Sequence, residues 1–269
     1  MSSSYFKKIF RLLREDGLCS FLEKSWNHIA RSTIPLQYLF KFRTMKNMFI
    51  NGIIYESYTN PYQPIYIDPN LGNAVSAKVR KDRGLGQVAG GDWDIHSNTK
   101  NLTDYPQYIG LIERYKHGND WKDTTYYKHA KRKIETSGSR MGYSDIEDFL
   151  NTRCQYVDEL YENIKKNGYR PNFRGGHNTP EKGSRQKGRR SHRHKLEPLI
   201  CIGRGGSIFW VEGLHRLAIS RILSLDSMPV QVLVRHQQWQ KIRDDIYTGE
   251  FSSEYRQIRN HPDLQDIID

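Results

Sequence analysis

Residues 199–234 constrain the fold most, because they join three apolar strand-like runs to one helix. Residues 199–203 and 207–211 flank Arg204-Gly205-Gly206, and glycine tolerates the positive φ that a tight turn requires, so these runs predict a hairpin. Apolar residues then recur with helical spacing from Leu217 to Leu223, and a further strand is predicted over residues 228–234. The predicted order is therefore strand, turn, strand, helix and strand.

The predicted helix begins near Gly213, with His215 and Arg216 in its first turn. The first N–H groups of a helix have no intrahelical acceptor, and the positive end of the helix dipole points to the same place. A phosphate there would gain backbone donors from residues 213–215 and the guanidinium of Arg216. We therefore assign Gly213, Leu214, His215 and Arg216 to a phosphate site, with Glu212 positioning a metal or the acceptor. The alternative is a well-capped core helix that binds nothing.

The order of strand, carboxylate, Gly213-Leu214-His215-Arg216, apolar helix and strand resembles the ParB/sulfiredoxin superfamily over residues 197–240. Residues 90–94 and 235–239 also resemble uncharacterised archaeal ParB-like proteins. The resemblance implies an α+β fold with a small mixed sheet, packed helices and a nucleotide-phosphate site. Its branches include partition CTPases, nucleases and an archaeal free serine kinase, so it does not choose one chemistry. The motif lacks the cysteine of sulfiredoxins, and Glu212 stands where kinase-like and partition-like members usually have Asp.

A second acidic segment, Asp92-Trp93-Asp94, follows a glycine-rich loop. The resemblance implies that this loop approaches the Gly-x-His-Arg element in space. Asp92 and Asp94 are then candidate catalytic residues with Glu212, and Asp92 and Glu212 are candidate Mg²⁺ ligands, because Mg²⁺ prefers a few carboxylates and keeps most of its waters. The alternative is a turn in which Trp93 is buried and the aspartates are solvated or capping.

The organisation predicted for the 269 residues is an amphipathic helical extension over 1–60, a ParB-like domain over 61–249 and a peripheral tail over 250–269. Apolar residues of the extension follow a helical stripe with lysines and arginines between them, which fits an anionic membrane surface or packing on the chain's own domain. No apolar run reaches the roughly 20 residues that span a bilayer. We expect a cytoplasmic protein, with peripheral attachment at the membrane inner face left open.

Most of the net charge of +12 lies in one glycine- and proline-containing segment. Residues 165–195 hold eleven lysines and arginines against the single acid Glu181, so this window carries +10. With few large apolar residues, residues 168–195 are predicted to form a flexible basic insertion in the domain. Its candidate polyanion-binding residues are Arg185, Lys187, Arg189, Arg190 and Arg193. Nucleic acid or an anionic membrane fits that charge, and a solvated insertion without a partner is the alternative.

Two classes of function follow from these features. The first is a nucleotide-dependent phosphotransferase that uses Mg²⁺ and a nucleoside di- or triphosphate to act on a small hydroxylated metabolite. The second is a ParB-like nucleic-acid-binding protein or nuclease that uses the basic insertion at 168–195. Partition proteins follow this domain with a helix-turn-helix module, and the residues after Val234 are too few for one. We therefore favour the phosphotransferase.

Overall fold

A computed structural model describes residues 36–174, 176–177, 196–250 and 253–268. The first 35 residues of the predicted extension lie outside the described residues. So does most of the basic insertion, including its five candidate polyanion-binding residues, Arg185, Lys187, Arg189, Arg190 and Arg193.

The described residues form one mixed sheet of seven strands. They are β1 (Ile65–Ile67), β2 (Ala74–Ser76), β3 (Gln87–Ala89), β4 (Thr99–Asn101), β5 (Leu199–Ile202), β6 (Ile208–Glu212) and β7 (Met228–His236). The strand order is β1-β7-β5-β6-β2-β4, and β3 pairs with the far end of β7 on the edge that β1 also uses. Parallel pairs alternate with antiparallel ones along this order. The fold is therefore α+β.

The predicted hairpin, helix and final strand are confirmed. Strands β5 and β6 are antiparallel neighbours, helix α6 (Leu214–Ile222) follows β6, and β7 continues the sheet beside β5. All nine residues of β7 are buried, because β1 and β3 pair with one side of this strand and β5 pairs with the other. These local elements formed where alternating or helical hydrophobic patterns predicted them.

Helices cover one face of the sheet. They are α2 (Pro106–Tyr115), α3 (Thr125–Ser137), α4 (Ile146–Asp148), α5 (Gln155–Asn167), α6 and α7 (Gln237–Tyr247), and a π-helical turn (Phe149–Cys154) joins α4 to α5. Successive residues of a strand point to opposite faces. Ile208 and Trp210 of β6 accordingly enter the core under these helices, whereas Phe209 and Val211 enter a second core on the other face.

The second core is covered by α1 (Leu36–Ile54) and by the loop before β3. Phe40 of α1 is buried with Leu85 and Trp93 against Phe209 and Leu233. The C-terminal part of the predicted extension is thus packed on the domain.

The prediction of a peripheral tail after residue 250 is wrong for the end of the chain. Asp263 and Leu264 are fully buried, and α8 (Gln265–Ile268) packs on α7. An ion pair between Asp263 and Arg235 at 2.6 Å holds this segment on the domain. No pattern within residues 250–269 predicts that contact.

Candidate functional site

The turn between β6 and α6 forms the centre of the candidate site. Gly213 caps the helix in the left-handed region at φ +90°, which an L side chain rarely adopts. A Cβ added there would also lie 2.6 Å from the Cβ of Pro198. Both the backbone conformation and the packing therefore require glycine at this position. The turn connects β6 directly to the first turn of α6, where the N–H groups are free of intrahelical acceptors.

A cavity of about 610 Å³ opens at this turn. Among the described residues, its lining includes Glu212, Gly213, Leu214 and His215, together with parts of β2, the loop after it, α3 and the π-helical turn. Four cationic side chains reach it from separate segments: Lys81, Lys100, Arg140 and Arg153. In the described part of the lining, Glu212 is the single carboxylate. Such a cavity attracts anionic ligands.

Among the four cations of the cavity, Arg153 contacts His215 of the predicted motif. Its Nε donates to the Tyr126 hydroxyl at 3.3 Å, its Nη2 lies 3.5 Å from Nδ1 of His215, and its guanidinium lies over the Tyr156 ring. None of these partners is a carboxylate. A guanidinium held by aromatic and imidazole groups keeps its charge available to a ligand in the cavity.

His215 is held as a neutral imidazole. Burial lowers its pKa well below the ordinary value, and the positive charges of Arg153 and Arg216 lower that pKa further. Its Nε2 is buried and has no hydrogen-bond partner in the described structure. The ring is therefore able to make one more hydrogen bond within the site.

Glu212 ends β6 at the rim of the cavity. Its side chain is 33% exposed, and one carboxylate oxygen lies 3.8 Å from Nζ of Lys81. Lys81 belongs to the loop whose next residues pack against α1, so the carboxylate faces a cation positioned from the other side of the sheet.

Arg216 is not among the described residues that line this cavity. Its guanidinium donates to the Tyr169 hydroxyl at 3.2 Å, to Glu197 at 3.4 Å and to the carbonyl of Leu196 at 3.0 Å. The structure thus gives Arg216 a bracing role between α6 and the segment before β5. Its guanidinium is engaged with the chain itself, and the predicted phosphate contact stays a prediction.

Asp92 and Asp94 do not approach the turn at Gly213. Both bind Arg204, at 2.9 Å and 2.7 Å, in the turn before β6. Gly213 follows the other end of β6, and the strand rise places the two ends of β6 about 13 Å apart. Burial raises the pKa of the Asp94 carboxyl, but hydrogen bonds from Arg204 outweigh this and hold that pKa below its ordinary value.

The two aspartates therefore serve the β5–β6 hairpin. Trp93 between them is buried against Phe209 and His236, as the alternative interpretation of this segment has it. Asp92 and Glu212 cannot share one metal ion across the length of β6. In the described chain, no group of three or more His, Cys, Asp or Glu residues has a metal-binding arrangement.

Sequence reasoning missed the four cations of the cavity. The sequence does single out Arg153, because this residue lies between Leu150 and Val157 on the apolar stripe of a helix. A charged residue at such a position is unusual and indicates a specific role. Lys81, Lys100 and Arg140 come from loops and a short strand that carry no such pattern.

Comparison of the chain with protein-family models, curated proteins and solved structures found no match. The geometry of the cavity therefore carries the functional proposal, and the ParB/sulfiredoxin resemblance stays a prediction.

Proposed function

We propose that this protein is a nucleotide-dependent phosphotransferase that acts on a small hydroxylated metabolite, with its active site in the cavity at the start of α6. One observation carries the proposal. Four cations converge from separate segments on a cavity whose described lining contains one carboxylate, Glu212; the cations are Lys81, Lys100, Arg140 and Arg153.

The size and polarity of the cavity support a nucleotide as the ligand. Its volume of about 610 Å³ lies within the range of pockets that enclose drug-sized molecules. Phosphates placed at the first turn of α6 would meet the N–H groups of Leu214 and His215, the Nε2 of His215 and the guanidinium of Arg153. Tyr105, a half-buried residue of the lining, supplies aromatic surface for the rest of the ligand.

Glu212 is the candidate base. In the proposed step, the acceptor hydroxyl oxygen attacks the terminal phosphorus, its proton passes to the Glu212 carboxylate, and the bond to the leaving nucleoside diphosphate breaks. The cations of the cavity stabilise the charge on the transferred group.

Mg²⁺ fits this donor set through one carboxylate. One oxygen of the Glu212 carboxylate would hold the ion together with ligand phosphates and waters, and the other oxygen would take the proton. The chemistry of the ion there would be to neutralise phosphate charge. Neither Asp92 nor Asp94 belongs to this set, because Arg204 binds both.

The alternative role on nucleic acid depends on residues 168–195. Its candidate contacts, among them Arg185 and Arg193, lie outside the described residues, so that role stays a prediction. The described cavity is the size of a small ligand and supports the phosphotransferase instead.

The test is a panel of ATP, ADP, CTP and GTP, each with and without Mg²⁺, measured as a rise in melting temperature and then by calorimetry. A ligand at a hundred times its dissociation constant stabilises the folded state by about 2.7 kcal/mol. Turnover is followed by phosphorus NMR with a panel of hydroxylated metabolites, as the appearance of a phosphomonoester and a nucleoside diphosphate.

Glu212→Gln separates binding from turnover. We expect the variant to bind nucleotide and to lose at least about a hundredfold in rate, since general base catalysis contributes 10²–10⁴-fold. Glu135→Gln, an exposed carboxylate on α3, is the matched control. Full turnover by Glu212→Gln would remove its assignment as the base, and absence of binding by every nucleotide would remove the proposal.

A further inference from the structure

Helix α1 turns its polar face toward the domain. The Arg43 guanidinium donates to Asp82 at 2.9 Å, and the Thr44 hydroxyl accepts from the backbone N–H of Leu85 at 3.0 Å. Two asparagine amides further along the same face donate to backbone carbonyls of residues 83–86; they are Asn47 and Asn51. These bonds fix the rotation of the helix about its own axis.

The opposite face of α1 is apolar and points outward. Tyr38, Phe42, Met45, Phe49 and Ile53 recur at helical spacing and are 58% to 71% exposed. We call these five residues the α1 stripe. Soluble monomers rarely expose large contiguous apolar patches, and such patches mark contacts with a protein or a membrane. Because α1 is held by specific polar bonds on its inner face, the outward stripe is a fixed feature of the surface.

Charge selects the partner of the α1 stripe. The sequence contains no Asp or Glu from Lys24 to Tyr55, and Lys41 and Lys46 are exposed on α1 itself. A second copy of the chain on this face would bring lysines toward lysines. The apolar residues between positions 5 and 26 also belong to a net positive segment. An anionic surface is complementary to this helix, whereas a second copy of the chain and the segment between positions 5 and 26 would both bring positive charge toward it.

We propose that the α1 stripe docks on an anionic lipid surface. A helix that lies in the plane of the interface inserts its apolar side chains to the depth of the headgroup boundary, and its lysines reach the phosphates of the lipids. Phe42, Phe49 and Ile53 would insert, and Lys41 and Lys46 would contact the headgroups. In the described residues, no helix is both long and apolar enough to cross a membrane. This proposal is independent of the proposed phosphotransfer.

The test is co-sedimentation of the full chain with vesicles of phosphatidylcholine containing phosphatidylserine, and with vesicles of phosphatidylcholine alone. We expect binding to the anionic vesicles that weakens with salt. The triple variant Phe42→Ser, Phe49→Ser, Ile53→Ser should bind at least about tenfold more weakly. Lys41→Gln with Lys46→Gln should weaken binding and flatten its salt dependence.

The matched control removes three exposed apolar side chains elsewhere, with Tyr66→Ser, Ile95→Ser and Tyr247→Ser. It should bind the anionic vesicles like the parent. The single variants Phe49→Ser and Ile53→Ser keep the test decisive if the triple variant fails to fold.

Three results would overturn the proposal. The first is that the full chain does not bind anionic vesicles. The second is equal binding by the parent and by the stripe variants, which would place the attraction in residues 1–35 or 178–195. The third is a dimer, seen by sedimentation without lipid, that the stripe variants abolish, because the occupant would then be a second copy.

Discussion

Nη2 of Arg153 lies 3.5 Å from Nδ1 of His215, across the junction between the π-helical turn and the first turn of α6. A guanidinium can only donate, so Nδ1 accepts and the imidazole proton resides on Nε2. That Nε2 is buried without a partner in the described structure. The pair thus presents donors and positive charge that an anion in the cavity would satisfy.

Arg153→Met tests how much the positive charge of this pair contributes to nucleotide binding. The change removes a cation that has no carboxylate partner among the described residues, so the free energy of unfolding without ligand should stay within about 1 kcal/mol of the parent or rise. Nucleotide affinity should fall about tenfold to a hundredfold, because a charged hydrogen bond contributes roughly 1.5–3 kcal/mol. Calorimetry and urea unfolding measure the two effects. Arg132→Met on the exposed surface of α3 is the control.

Unchanged nucleotide affinity in Arg153→Met would remove this residue from the site. A large loss of stability without ligand would show that its role is structural.

His215→Gln tests the neutral imidazole through pH. The folded-state pKa of His215 lies well below 6.5, so the unfolded chain takes up a proton below that pH that the folded chain does not. This group therefore destabilises the fold increasingly as pH falls from 7 to 5, by at most about 1.4 kcal/mol per pH unit. The variant should lose about 1–2 kcal/mol less than the parent over that interval. Equal losses would contradict the buried neutral state, and His117→Gln, at an exposed histidine, is the control.

Gly213→Ala tests the turn that starts α6. The left-handed conformation costs an L residue about 1–2 kcal/mol, and overpacking against Pro198 adds about 1–3 kcal/mol. Gly91→Ala separates the two costs, because Gly91 has a similar φ of +88° and an added Cβ there meets nothing within 4 Å. Urea unfolding should show the larger loss for Gly213→Ala. Equal losses would mean that Pro198 moves aside.

Local patterns in the sequence predicted the hairpin, the turn at Gly213 and β7, because each is specified by neighbours along the chain. They did not predict which side chains meet. The resemblance implies that Asp92 and Asp94 lie near Gly213, but in the fold both bind Arg204 at the other end of β6. Such contacts depend on register and strand order, which hydrophobic period alone does not determine.

Two arginines also show that local sequence patterns do not predict side-chain contacts. The motif predicts a ligand contact for Arg216, but its guanidinium donates to Glu197 and Tyr169, which are distant in sequence. Arg153 lies in the apolar stripe of a helix, and the sequence pattern by itself predicts no ligand contact for it. A charged residue in such a stripe was the one local signal for the cavity.

Asp263→Asn tests the buried C-terminal segment. Burial raises the pKa of Asp263, but the positive charges of Arg235 and Arg243 outweigh this effect and lower that pKa to about 2. The carboxylate thus stabilises the fold above the unfolded pKa of about 3.9, and this contribution is lost as pH falls toward 2. At pH 7 the variant should lose about 3–5 kcal/mol, because buried Arg235 loses its carboxylate partner and Arg243 keeps only Asp266. Asp226→Asn, at an exposed position, should cost little, and a small loss in Asp263→Asn would contradict the role of this ion pair.

The most direct test of the proposed site is a titration of the ¹⁵N-labelled chain with ADP, followed at the backbone amides. Phosphates at the start of α6 should shift the amide resonances of Leu214 and His215 saturably, with the dissociation constant that calorimetry gives. The amides of Arg204 and Gly205, beyond the far end of β6, should not move. Saturable shifts centred on Arg204, or no shift at Leu214 and His215 when ADP is bound, would contradict a phosphate site at this helix.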